Sequence, residues 1–453
     1  MIHTKKVAII LIILILIFNI TGCNNTPSEI IDIPNENTDI VDSTQEVVVR
    51  ATPIPKISLP ISVPENHGFS VEALGGIHKF ITDEVGAGFP GAVLLIAHKG
   101  EIVFHESYGF ALKYEGKEPL DNPISMTDDT LFDLASLTKI YATTFSIMKL
   151  VDQGKIDLDD TVSKYLAGFG NGEKSQITIR MLLSHKAGFD SSFGFYLPDS
   201  GDLYSLDRDN TISLLSEMEL VSSPNTEYKY SDLGFMILGA VIESVSGQRL
   251  DEFVKSEIFD LLFLDGQAMF MPLDNGIAAK NIAATERMGN TRDGAFSFPT
   301  VREYTLQGEV HDEKAYYSMG AVSGHAGLFA DAKALAVLNQ LIIDGGSYGG
   351  IEIFSQDTVN KFTAITSDSK YQLGFWQAKA QSGIKDNVSD TTFYNNGWTG
   401  VASVIDLENQ LSIILLTNKR HSSCEMDVFQ GSTDYDTGNY STIINMVYEA
   451  YSP

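Results

Sequence analysis

Hydrophobic and polar positions follow several different rhythms along this 453-residue chain. Residues 7–18 form an unbroken apolar run behind Lys5 and Lys6, too short to cross a bilayer but long enough for the core of a secretory leader. From 24 to 64 no period is visible. Pro27, Pro34, Pro53, Pro55, Pro60 and Pro64 punctuate a stretch rich in Asn, Thr and acids, the composition of a tether. Apolar residues at Leu74, Ile77, Ile81 and Val85 predict a helix over 71–85. Two apolar runs, 91–98 and 101–105, predict strands joined at Lys99-Gly100. Residues 141–153 read as a helix stopped by Gly154, and 332–343 as another ended by Gly345-Gly346. Strand patterns return at 400–406 and 410–418, paired about Leu407-Glu-Asn409, and 441–451 reads as a closing helix. Strands near both ends with helices and loops between predict an α+β fold. One antiparallel sheet is built from both chain ends and flanked by helices, with an α-rich lobe inserted over about 155–340 and a cleft between the two.

Charge and cysteine content narrow the setting. There are 31 Lys and Arg against 59 Asp and Glu, a net charge of −28. Such a surface repels nucleic acid and anionic lipid headgroups, so neither is an expected partner. Two cysteines, Cys23 and Cys424, make neither a disulfide framework nor a zinc set. Cys23 follows Ile20-Thr21-Gly22 directly after the apolar run, an ending similar to a bacterial lipobox, in which the cysteine is lipidated. The expected organisation is a lipoprotein signal peptide at 1–22, a flexible tether at 23–64 and a catalytic domain at 65–453. The mature protein would be extracytoplasmic and anchored to the bacterial cell membrane through Cys23.

The candidate chemistry starts at Ser136-Leu-Thr-Lys139, where an apolar segment passes into a helical pattern. Residues three apart share a helix face, which brings an amine to a hydroxyl. Serine is a weak nucleophile until a base takes its proton, and a desolvated lysine can be that base. The S-x-x-K pattern also occurs at Ser146, Ser367 and Ser382, so the neighbourhood of Ser136 has to separate it from the others.

Three further segments supply that separation: Tyr230-Ser231-Asp232, Asn395-Asn396-Gly397-Trp398-Thr399-Gly400, and Leu182-Leu-Ser-His185-Lys-Ala-Gly188. Together with Ser136-Leu-Thr-Lys139 they resemble, in order and spacing, the serine β-lactamase and penicillin-binding-protein superfamily, in particular its class C-like branch. The stretches 289–294, 311–320 and 322–329 narrow the resemblance to penicillin-binding proteins of the D-alanyl-D-alanine carboxypeptidase type. The resemblance implies a β-lactamase/transpeptidase-like fold, an acyl-enzyme mechanism, and a cell-wall peptide, ester or β-lactam as substrate, without metal or cofactor. An esterase, a weak β-lactamase and a binding protein that acylates without turnover are the alternatives.

In this scheme Ser136 is the nucleophile, Lys139 its base and Tyr230 a proton relay. Asp232 stands where many relatives have asparagine; a carboxylate there pairs with Lys139 and raises its proton affinity. By position, the backbone N–H groups of Ser136 and Trp398 form the oxyanion hole, and Asn395, Asn396 and Gly397 bind substrate. Relatives carry Lys or His where this chain has Asn395, a cation for the substrate carboxylate; Arg292 or Lys314 are the replacements to look for. His325, between glycines, is expected to line the cleft, and His185 to fix a turn. His311-Asp-Glu lacks a clustered second ligand set, so no metal is expected. Gly345-Gly-Ser347-Tyr-Gly349 matches a nucleophile elbow only in letters, because a helix precedes it and a strand follows.

Overall fold

The computed structural model describes residues 58–365, 372–385, 387–422 and 435–452. Cys23, Cys424, the expected leader and the expected tether up to residue 57 lie outside them. Among the described residues no helix is long and apolar enough to cross a membrane. Residues 58–64, which composition assigns to the tether, are already built onto the domain. Leu59 is buried, and Pro60 and Ser62 hydrogen-bond to Ile102 through the backbone.

The strands are β1 (Gly91–His98), β2 (Glu101–Glu115), β3 (Glu118–Ser125), β4 (Phe132–Asp133), β5 (Ala268–Phe270), β6 (Leu328–Ala330), β7 (Ser347–Tyr348), β8 (Ile351–Glu352), β9 (Thr392–Gly397), β10 (Val401–Asp406) and β11 (Leu411–Thr417). The main sheet has the order β3-β2-β1-β11-β10-β9, with every pairing antiparallel. Both chain ends therefore supply one sheet, which closes where β1 meets β11. Lys99 and Gly100 take φ values of 53° and 78° between β1 and β2. That twist suits a two-residue hairpin turn and is easiest for glycine. A smaller sheet, β4-β6-β5, carries the approach to Ser136.

The helices are α1 (Val71–Ala87), α2 (Phe145–Asp152), α3 (Ile179–Leu183), α4 (Arg208–Leu214), α5 (Asp232–Ser246), α6 (Leu250–Val254), α7 (Ala332–Ile343), α8 (Gln356–Thr363) and α9 (Tyr440–Ala450). Those on each face of the main sheet explain why its inner strands are apolar throughout. Val93, Leu95 and Ala97 of β1 enter the larger core shared with the helical lobe, whereas Ala92, Leu94 and Ile96 enter a second core with α1 and α9. Period-two alternation is intact, but both faces are covered, so the strand reads as a continuous apolar run.

Candidate active site

Ser136 sits in a 3-10 turn, Ala135–Leu137, followed by a widened π-helical turn, Lys139–Thr144, and then α2. A regular helix was expected here. The wider turn is fastened by its own side chains: Thr144 Oγ1 donates to the Lys139 carbonyl at 2.7 Å, and Thr143 Oγ1 to the Gly324 carbonyl at 2.7 Å. The Tyr141 hydroxyl lies 2.6 Å from Ser403 Oγ on β10 and ties the turn to the sheet. π-turns inside helices concentrate at functional sites because they re-aim side chains.

The side chains expected to work together do converge. Lys139 Nζ donates to Ser136 Oγ at 3.1 Å, and the Tyr230 hydroxyl donates to the same oxygen at 3.0 Å. Lys139 Nζ also pairs with Asp232 Oδ1 at 2.8 Å and donates to the His325 carbonyl at 3.2 Å. Tyr230 and Asp232 reach the cleft from the start of α5, whose N-cap is Ser231; its Oγ accepts from the Gly234 N–H at 3.2 Å. A capping residue between two cleft-facing residues places both at the helix mouth.

Electrostatics follow from this packing. Burial alone disfavours the Lys139 ammonium, but the Asp232 carboxylate and the Tyr230 oxygen outweigh it and hold Lys139 above the ordinary lysine value. Burial raises the Tyr230 phenol, with Lys139 pulling the other way. Asp232 resists its own burial because Lys139 and Lys314 surround it, and it is held far below the usual carboxylate range. His185 is buried behind Tyr230, with ring centroids 4.6 Å apart. Burial and the nearby Lys139 lower it to about 3, so it is neutral at pH 7. Its Nδ1 accepts the Ser231 N–H at 3.1 Å, so it braces the Tyr230 segment as a turn-fixing residue.

The edge strand β9 passes the nucleophile. Asn395 pairs with Ser403, and Gly397 with Val401. A Cβ added at Gly397 would lie 2.7 Å from Val401 Cγ2 and 3.3 Å from Ala135 Cβ, and would overlap the Leu134 carbonyl oxygen. Only glycine permits the strand this close to the nucleophile turn. The Ser136 N–H lies in the first turn of its helix, where N–H groups have no intrahelical acceptor. The Trp398 N–H follows the last paired residue of β9 and makes no backbone hydrogen bond among the described residues. Two open donors flanking Ser136 have the form of an oxyanion site.

A family model described as Beta-lactamase matches residues 77–429. The chain belongs to the beta-lactamase family. It is 42% identical over 403 residues to the N-acetylmuramyl-L-alanine amidase of Bacillus subtilis (strain 168), covering 85% of this chain and 91% of that one. It is 39% identical over 408 residues to a protein of Escherichia coli O157:H7 named "Putative D-alanyl-D-alanine carboxypeptidase", covering 86% and 93% respectively. Among solved structures, EstCE1, a hydrolase with promiscuous acyltransferase activity, aligns with a TM-score of 0.60 at 23% identity, over 84% of this chain and 98% of that chain. The last likeness is one of fold. As a member of this family the chain is an enzyme of the serine hydrolase type, and the expected α+β, β-lactamase-like fold is the observed one.

Within this beta-lactamase-family site, two expectations need correction. Asn396 was expected to bind substrate, but β9 alternates. Phe393 enters the core shared with the helical lobe and Tyr394 the opposite one, so Asn395 and Gly397 face the cleft while Asn396 turns away and donates to the Tyr394 hydroxyl at 3.1 Å. His325 was expected to offer its ring to the cleft. The ring is 1% exposed, with Nδ1 2.8 Å from Ser323 Oγ and Nε2 2.9 Å from Asp312 Oδ1. What it presents to the site is its carbonyl. Ser347 lies in the small β7–β8 hairpin, across from Glu352, and the rival elbow is the turn of that hairpin.

Sequence reasoning missed Asp133 and the role of Lys314. Asp133 is buried, and burial raises its carboxyl against the N–H donors that hold it. Its Oδ1 accepts the Ala135 N–H at 2.8 Å, its Oδ2 the His311 N–H at 2.6 Å, and its carbonyl the Thr399 hydroxyl at 2.6 Å. It thus joins the nucleophile turn, the 311 loop and the turn after β9. It also supports Ala135 at φ 43°, a left-handed conformation that costs a non-glycine residue on the order of 1 kcal/mol. Lys314 Nζ reaches Asp232 Oδ2 at 3.3 Å and Asp312 Oδ2 at 3.0 Å. Arg292 is committed elsewhere, to Glu286 at 2.7 Å and Glu313 at 2.6 Å. Asp232, Asp312 and His325 gather donor atoms within 4.8 Å of one another. Lys139 and Lys314 already sit on the carboxylates, so a further cation there would face two ammonium groups.

Proposed function

We propose that this chain is a cell-wall amide hydrolase working through an acyl-enzyme at Ser136, and that the bond it cleaves joins the muramyl lactyl group to L-alanine. The Lys139–Tyr230 pair first releases one proton to solvent; Ser136 Oγ then bonds to the carbonyl carbon while its own proton passes to the pair. The developing oxyanion is held by the Ser136 and Trp398 N–H groups. Collapse breaks the C–N bond, and the pair returns the proton to the leaving amine. Water then hydrolyses the ester.

The observation that carries the choice of bond is Asn395. It occupies the position where relatives place a cation for a terminal carboxylate, it faces the cleft, and it is neutral. The candidate replacement cations are engaged elsewhere: Lys314 on Asp232 and Asp312, and Arg292 on two glutamates. An internal amide has no carboxylate to pair, and the 42% identical relative bears the name of such an amidase. A D-alanyl-D-alanine carboxypeptidase is the second reading, supported by the name of the 39% identical relative. For location, the lipobox-like segment ending at Cys23 supports a lipid-anchored, extracytoplasmic enzyme.

The test is to incubate the purified full-length chain with N-acetylmuramyl-pentapeptide and weigh the products. Release of the whole pentapeptide is expected. Loss of a single alanine with the sugar still attached would contradict the amidase and select the carboxypeptidase.

A further inference from the structure

The site contains an anion, Asp232, pressed against the lysine that should lose a proton. A lone carboxylate at 2.8 Å would fix Lys139 as an ammonium and leave Ser136 without a base. The structure provides a counterweight. Asp232 presents Oδ1 to Lys139 and Oδ2 to Lys314, at 3.3 Å. Lys314 in turn lies 3.0 Å from Asp312 Oδ2, and Asp312 Oδ1 lies 2.9 Å from His325 Nε2 and accepts the Ala315 N–H at 2.9 Å. His325 closes the circuit, since its carbonyl accepts from Lys139 Nζ at 3.2 Å. Two ammonium groups and two carboxylates alternate around a buried ring.

We infer that Lys314 is a positioning residue for the proton chemistry of Ser136: by sharing the Asp232 carboxylate with Lys139, it keeps the Lys139–Tyr230 pair able to give up a proton. The inference rests on the acyl-transfer reading above. The pair is the titrating unit, because either member can hold the proton that must leave before serine is activated. The groups that face it are Asp232 from α5, Asp312 and Lys314 from the start of the π-helical turn Lys314–Ser318, His325 from the loop before β6, and neutral His185 just after α3. Glu313 is turned away onto Arg292 at 2.6 Å. Lys314 is itself well buried and paired on both sides, so it is no surface charge that salt would screen.

The test uses the full-length chain and a fluorophosphonate, whose labelling rate reads serine activation without knowledge of the natural substrate. The rate is followed from neutral to alkaline pH for wild type, Lys314→Met, Lys314→Arg and Asp312→Asn, with melting curves for each. In Lys314→Met the rising limb should move up by about one pH unit, a roughly tenfold slower reaction at neutral pH that recovers toward the wild-type rate in alkali. Lys314→Arg should keep the wild-type midpoint, and Asp312→Asn should move it down. A merely structural lysine would lower the rate at every pH and leave the midpoint in place, which would overturn the inference. If Lys314→Met does not fold, an unmoved midpoint in Asp312→Asn overturns it equally. Failure of wild type to take label at Ser136 would instead sink the acyl-transfer reading.

Discussion

Gly397→Ala is the substitution through which the structure speaks most directly about catalysis. The added methyl would overlap the Leu134 carbonyl oxygen, a backbone atom that cannot rotate aside, and would sit 2.7 Å from Val401 Cγ2. Leu134 is held in turn by its N–H donating to the Leu328 carbonyl at 2.9 Å, so the nucleophile side is the stiffer partner. Edge strand β9 should therefore withdraw, by about 1 Å before the new carbon reaches ordinary contact, and a misplacement of that size costs on the order of a hundredfold in rate. It carries the Trp398 N–H with it, and loss of one oxyanion donor costs about 10²–10³ in kcat. The two figures describe the same displacement, so a fall of about a hundredfold in kcat is expected, with KM moving much less. The assay is hydrolysis of an activated ester such as p-nitrophenyl acetate, with far-UV dichroism to show that the fold is kept. A folded variant whose kcat stays within a few-fold of wild type would refute the placement of the oxyanion donors.

Three other outcomes follow from the same geometry. Asp232→Asn removes the carboxylate that holds Lys139 above its ordinary value, so the rising limb of the pH–rate profile should shift to lower pH; an upward shift would contradict the assigned sign. Asn395→Lys should improve reaction with substrates bearing a terminal carboxylate by roughly tenfold to a hundredfold, the worth of a charge-assisted hydrogen bond of about 1.5–3 kcal/mol, and leave neutral esters nearly unchanged; equal gains for both would show that Asn395 does not meet the carboxylate. Cys23→Ser should shift the protein out of the membrane fraction, and membrane association equal to wild type would exclude the lipid anchor.

Local patterns were legible where burial on a face is decided locally. The helix predicted at 332–343 is α7, the one predicted at 71–85 is α1 with two more residues, and the late strand pair is β10 and β11. Ser136, Lys139, Tyr230 and Asp232 were found through the order and spacing of several motifs taken together, and the structure brings their side chains to one place. What stayed hidden depends on distant partners. β2 runs ten residues past its predicted end, and β3 was not foreseen, because this ribbon is only partly buried and shows little apolar alternation. Asp133 gains its importance from His311, 178 positions away, and Lys314 from Asp232. Nothing within either segment marks those meetings. Asn396 is different, since strand alternation alone separates it from Asn395, and the motif alignment overrode a rule the sequence already carried.

The central claim, that Ser136 forms a covalent acyl-enzyme driven by Lys139 and Tyr230, is tested most directly by trapping. The full-length chain is treated with a fluorophosphonate, its intact mass is measured, and the adduct is mapped by peptide sequencing. The account predicts one adduct, located on Ser136, absent from Ser136→Ala and retained by Ser347→Ala. An adduct that survives Ser136→Ala, or that maps to Ser347, would contradict it.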